Sequence, residues 1–330
     1  MLLKKLSITL IIVVCSICSF NNVFAIEVIL GGESIGIQLN YDGVMISGTY
    51  DIIVDNKTYN PSNDGYEAGE LITHVNNKKI DSLDDLTNII ENNIENNQSI
   101  TLTLISHEKQ ITRTLKYQQK NNQYSTGLYV SDGLTGIGTL TYYNPATQHF
   151  AALGHMMYDI SLSSDMIIKE GSIYNSYVQS VIPSSNGNPG EKIANIDSIE
   201  IGTVFDNNNY GIYGEYTILS KDYQMISTAS IDEVEKGEAY FLTVLEGDTI
   251  VQCDIEITQL KKQSSPSIKG ITFKITDEKI LNLTNGIIQG MSGSPIIQSD
   301  KLIGCVTHVD VSNVEYGYGL YIEWMLENDN

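Results

Sequence analysis

Apolar and polar residues alternate with a period of two along most of the chain, and one helical stretch interrupts the pattern. Between residues 28 and 118, Ser34-Ile35-Gly36-Ile37-Gln38-Leu39 reads as a loop leading into a strand. Ala68 through Asn76 reads as a turn followed by a strand, with Asn76-Asn77 as the next turn. Ser82 through Asp85 gives a capping-box-like start to a helix with Leu83, Leu86, Ile90 and Ile94 on one side. Ile100 to Ile105 and Ile111 to Leu115 then close as a hairpin, so this segment predicts a small α+β domain. Lys120 to Thr126 is polar and rich in glutamine and asparagine, a linker composition. From Gly127 onward, glycine, tyrosine and β-branched residues predict an all-β domain. Leu140 to Tyr143 and Phe150 to Leu153 flank an Asn144-Pro145 turn and run into Gly154-His155. Pro295 to Gln298 and Leu302 to His308 form a second hairpin, followed by a strand at Gly317 to Ile322 and a short helix from Glu323. The expected fold is mainly β, with an α+β domain at 28–118 preceding a pair of β-barrels within 119–330.

The chemistry concentrates at Gly286 through Pro295, where Ser292 stands between glycines in the run Gly290-Met291-Ser292-Gly293-Ser294-Pro295. Such a turn presents one hydroxyl on its rim, and the amides of Gly290 and Ser292 are placed to hold an oxyanion beside it. The pattern resembles the nucleophile loop of chymotrypsin-like serine peptidases. Met291 stands where the trypsin-type enzymes carry the aspartate that pairs with a freed N-terminus, so that activation switch is not expected. Ser294 is the alternative nucleophile, disfavoured because the flanking glycines belong to Ser292. A serine hydroxyl needs a base, and histidine has the proton affinity for that work. Of five histidines, His155 ends a strand after a small residue, as chymotrypsin-like folds deliver their base, and His308 beside Asp310 is the rival. For the acid, Asp277 is the choice, with Asp159, Asp197 and Asp206 open; its bland alternative is to cap a helix before Ile280 and Leu281.

Charge narrows the partners. Forty acidic against nineteen basic residues give a net charge of −21, which disfavours nucleic acid and other polyphosphates. No zinc-ligand or phosphate-loop spacing occurs, and neither metal nor organic cofactor is expected. Lys4 and Lys5, an apolar run from Leu6 to Phe20 and Val23-Phe24-Ala25 read as an export signal, with an uncleaved membrane anchor as the rival at 1–25. Cys15 and Cys18 fall inside that run, so their spacing carries no redox or metal meaning. Cys253 and Cys305 remain as either a pair or two buried thiols.

The segment 28–118 resembles a PDZ domain, which implies a loop at Ser34, Ile35, Gly36 and Ile37 offering amides to a peptide carboxylate, with the next strand accepting the peptide. Taken together, Leu153-Gly154-His155, Asn188-Pro189-Gly190-Glu191-Lys192, Ile275-Thr276-Asp277, Gly286 through Gln298, Gly304 through Val309 and Gly317 through Leu326 resemble the stage IV sporulation protein B peptidase family. The resemblance implies a PDZ domain before a serine peptidase domain, and a triad of His155, Asp277 and Ser292. It further implies export to the space between the membranes around a forespore, cleavage of the protein by itself in trans, and cleavage of a membrane-anchored regulator that releases processing of a sigma factor precursor. The alternative is a PDZ-containing signalling scaffold without catalysis.

Overall fold

The computed structural model describes residues 26–107, 109–120, 123–158, 170–217 and 224–329. The signal or anchor at 1–25, with Cys15 and Cys18, and Asp159 lie outside the described residues. Among the described residues no helix is long and apolar enough to cross a membrane.

Strand β1 (Ser34–Thr49) begins where the carboxylate-binding loop was expected, and this is a correction. Ile35, Ile37, Leu39 and Tyr41 are buried on one face while Gln38, Asn40 and Asp42 face solvent, the period of a half-buried strand. Gly36, which suggests a loop in the sequence, is required instead by packing: a Cβ there would lie 2.6 Å from the Ile196 side chain. Ile35 and Ile37 pair with Gly138 and Gly136 on one side, and with Asn175 and Ile173 on the other. Both edges are consumed, so no row of amides from Ser34 to Ile37 remains for a peptide.

At Gly43, with φ of 141°, β1 bends out of the first barrel and continues into a small α+β unit. There Val44 pairs with Ile72 of β2 (Leu71–Val75). Helix α1 (Leu83–Glu95) starts as expected, with Asp85 N donating to Ser82 Oγ at 3.1 Å, and buries Leu86 and Ile94. Strands β3 (Ile100–Ser106) and β4 (Lys109–Leu115) complete the sheet. A groove of about 840 Å³ separates α1 from Leu128 and Val130, which start the next strand, β5 (Leu128–Asn144); Gln118 and Tyr124 also line it.

Six strands then close the first barrel. Strand β1 pairs with β5, β5 with β6 (His149–Ala152), and β6 with β9 (Gly211–Tyr216). Strand β9 pairs with β8 (Gly190–Asn208), and β8 with β7 (Gly171–Ile182), which returns to β1. Its core holds Ile37, Leu39, Phe150, Leu153, Ile173 and Ile212. Because β1 and β5 each run through both bodies, the small unit and the first barrel are built on shared strands.

The second barrel closes the same way. Strand β10 (Gly237–Val244) pairs with β11 (Ile250–Leu260), which pairs with β12 (Ile271–Ile275). Helix α2 (Glu278–Thr284) and the short strand β13 (Ile288–Gln289) follow. Strands β14 (Pro295–Gln298) and β15 (Lys301–Val309) form the expected hairpin after Ser292. Strand β16 (Tyr316–Tyr321) joins β15 to β12, and β14 pairs with β10 to shut the ring. Helix α3 (Ile322–Leu326) ends the fold. The double β-barrel expected for residues 119–330 is thus present, with the front half of β1 contributed from upstream. Cys253 and Cys305 are both buried free thiols in the second core.

Candidate active site

Two consecutive turns build the nucleophile loop. Met291 N donates to Ile288 O at 3.2 Å and Ser294 N to Met291 O at 3.0 Å, each closing a four-residue turn with glycine third. Gly290 (φ 92°) and Gly293 (φ 90°) fill those third positions, where positive φ is demanded. Ser292 is lifted onto the second turn while Ser294 is wholly buried, which separates the two serines as the flanking glycines suggest. The first barrel grips the loop from below: Thr139 N donates to Ser292 O at 2.9 Å, Thr139 Oγ1 to Gly290 O at 2.8 Å and Thr141 Oγ1 to Gly293 O at 2.7 Å. Among the described residues, the amides of Gly290 and Ser292 have no protein acceptor, so both are available to an oxyanion.

His155 follows β6 through Leu153 and Gly154, both at positive φ. Gly154 packs on Cys305 and Thr307, where a Cβ would come within 2.4 Å of the Cys305 sulfur. The His155 ring lies 5.0 Å, centroid to centroid, from that of His308, and Ser292 Oγ donates to Thr307 O at 2.9 Å. Base and nucleophile, one from each barrel, are therefore brought to two consecutive residues of β15, the ring to His308 and the hydroxyl to Thr307. His155 Nδ1 lies 2.8 Å from Met156 O, its partner as a donor, which leaves Nε2 as the basic nitrogen. Burial holds the imidazole below its usual proton affinity, and the Met156 carbonyl partly offsets this. Asn207 fixes the chain beyond: its Oδ1 accepts from Met157 N at 2.9 Å and its Nδ2 donates to Met157 O at 2.8 Å. The rival His308 is also in the site, but burial, His155 and Lys269 push it down to about 4, and its Nδ1 is buried without a partner among the described residues.

Asp277 is not brought to His155. Its Oδ1 accepts from Lys279 N at 2.9 Å and Ile280 N at 3.2 Å, capping α2, so the bland alternative is the one realised. His308 lies opposite Tyr318, and Tyr318 opposite Thr272; from Thr272 the strand runs roughly 10 Å further to Ile275, and Asp277 follows that end. Among the described residues no carboxylate contributes to the proton affinity of His155, whereas Cys253 feels the charge of Asp277. Asp197 accepts from its neighbour Ser198 N, and Asp206 accepts from Asn208 Nδ2. Among the described residues the orienting group is the Met156 carbonyl. Accordingly, Asp277→Ser, which keeps a capping oxygen, should leave turnover within about threefold of the parent, and Asp277→Ala should cost about 1 kcal/mol of stability with similar turnover. A triad acid would instead cost about 10⁴-fold, a difference that steady-state kinetics on Asp277→Ser reads directly.

Among the described residues no cluster of three metal-ligating side chains occurs. Sequence reasoning missed Thr139, Met156, Asn207 and Thr307, which act through backbone atoms or local polar contacts and carry no motif.

The family model for SpoIVB peptidase S55 matches residues 122–326. No curated protein matches the chain. Among solved structures, the active form of the Rv3671c protease from M. tuberculosis aligns at 13% identity with a TM-score of 0.33, covering 59% of this chain and 72% of that one. Its inactive form aligns at 14% with a TM-score of 0.32, covering 58% and 81%. The family match spans more than half of the chain and contains both His155 and Ser292, so the chain belongs to the SpoIVB peptidase S55 family and is a serine peptidase.

Proposed function

We propose that the chain is an endopeptidase in which Ser292 is the nucleophile and His155 its base. The observation that carries this reading is the convergence of the Ser292 hydroxyl and the His155 ring on Thr307 and His308. In the arrangement seen, the hydroxyl proton is parked on Thr307 O. Rotation of the Ser292 side chain redirects it to Nε2 of His155 as Oγ attacks a scissile carbonyl. The amides of Gly290 and Ser292 receive the oxyanion, His155 returns the proton to the departing amine, and water then releases the acyl group by the same steps.

The family implies protein substrates. The finer reading is that the small unit serves as a PDZ-type peptide-binding module, in a place other than the Ser34 to Ile37 segment. The first residues of β5 have their far edge facing α1 across the groove, so an extended peptide end can add there as a further strand. The proposed role is a sporulation signalling protease, exported to the forespore intermembrane space, that cleaves itself in trans and a membrane-anchored regulator. Support comes from the family and the apolar start of the sequence.

A fluorophosphonate tests the enzyme reading against a non-catalytic scaffold. Peptide mapping of the labelled protein by mass spectrometry is expected to place one adduct on Ser292 and none on Ser294. A folded protein that takes no label defeats the proposal.

A further inference from the structure

Lys192 is a lysine with almost no exposed surface, 5% of its total, and it stands beneath the nucleophile loop. Strand β8 runs parallel to β13 with Gly190 opposite Ile288 and Glu191 opposite Gln289, so the next residue along, Lys192, falls beside Gly290. Its aliphatic stem is the surface on which Gly290 rests: a Cβ on that glycine would lie 2.9 Å from the lysine Cδ and 3.1 Å from Cγ. The amine donates to Thr243 Oγ1 at 2.9 Å and to Thr139 Oγ1 at 3.4 Å. Among the described residues no carboxylate pairs with it.

An unpaired ammonium in an apolar interior costs several kcal/mol, and a leucine or methionine would fill the same space without that cost. Burial pushes this amine down to about 7, which shows how poorly the site solvates the charge. Residues that weaken the fold in this way mark function. What the amine does here follows from direction. As the ammonium it only donates, so Thr139 Oγ1 accepts from it and sends its own proton onward to Gly290 O, 2.8 Å away. Fixing that carbonyl fixes the Gly290-Met291 peptide and, through the turn, the orientation of the Gly290 and Ser292 amides. Ser294 Oγ, 3.5 Å from Thr139 Oγ1, lies on the same hydroxyl.

We infer that Lys192 is a positioning residue of the oxyanion site, acting through the donor chain from Lys192 to Thr139 to the Gly290 carbonyl. The inference rests on the serine peptidase reading of Ser292, since it concerns how that loop is held.

The test is the rate of fluorophosphonate labelling of the purified protein, resolved into a maximal rate and an apparent affinity, alongside thermal melting. Lys192→Met is expected to lower the maximal rate about ten- to a hundredfold, less than outright loss of an oxyanion donor, with affinity within about twofold and melting unchanged or raised. Thr139→Val should lower the rate at least as far, and Thr139→Ser should restore it. The double variant Lys192→Met, Thr139→Val should be no slower than Thr139→Val alone, because both act on one chain. The inference is overturned if Lys192→Met labels at the parent rate, if the two losses multiply, or if the rate falls only as melting falls. Absence of labelling in the parent protein would instead defeat the serine peptidase reading itself.

Discussion

Replacing His155 with glutamine is expected to lower turnover by about 10⁴- to 10⁶-fold with little change in substrate affinity, whereas His308→Gln should cost less than about tenfold. Glutamine fills much of the same space but cannot take a proton at the position of Nε2. Of the two rings, only His155 has its Nδ1 on an acceptor among the described residues, the Met156 carbonyl, which commits the other nitrogen to basic work. Among the described residues His308 has a buried Nδ1 with no partner, and its proton affinity is pushed down to about 4, too weak a base to draw a serine proton near neutrality. The same facts set the pH profile. His155 must be neutral to act, and burial lowers its pKa below the ordinary 6.5, so the acid limb of kcat/KM should have its midpoint below pH 6.5. Stability shares the sign: both histidines are harder to protonate folded than unfolded. The unfolded chain thus binds more protons in the window beneath pH 6.5, and stability falls as pH drops through it. A His308→Gln variant as inactive as His155→Gln would reverse the assignment.

Ser292 and His155 were legible because each is announced locally, one by flanking glycines and the other by a strand that stops at a small residue. Ser82 at the start of α1 was legible for the same reason, since a cap is a contact three residues long. The errors came from contacts that span the chain. Gly36 looks like loop punctuation until Ile137 and Tyr174 flank it, each more than a hundred residues away. Asp277 carried two local meanings, helix cap and catalytic acid, and only the placement of β12 against β16 separates them. Lys192 is legible only as the end of the Asn188 to Lys192 run and not by its place: by composition a lysine belongs on the surface, and its burial depends on β8 meeting β13 nearly a hundred residues later. The backbone carbonyls of Met156 and Thr307 have no sequence identity to read.

Gly293→Ala is expected to destabilise the protein by about 3–5 kcal/mol, lowering the melting temperature by about 10 °C. Two costs combine. The first is conformational: at φ of 90° an alanine leaves the region open to L-residues, at about 1–2 kcal/mol. The second is steric, because the new Cβ would sit 2.0 Å from Thr139 O, 2.5 Å from Leu153 N and 3.0 Å from Leu153 Cα. All three are backbone atoms of the first barrel, so no rotamer change relieves the clash and the barrels must part. Parting them carries Ser292 away from Leu153, and hence from His155 two residues on, so whatever folds should also label slowly with a fluorophosphonate. Gly187→Ala is the control. Gly187 has a comparable φ of 86° but nothing within 4 Å of its would-be Cβ, so it bears only the conformational cost. If the two variants melt together, the close seating of the nucleophile turn against the first barrel is wrong, and with it the geometry that brings His155 to Ser292.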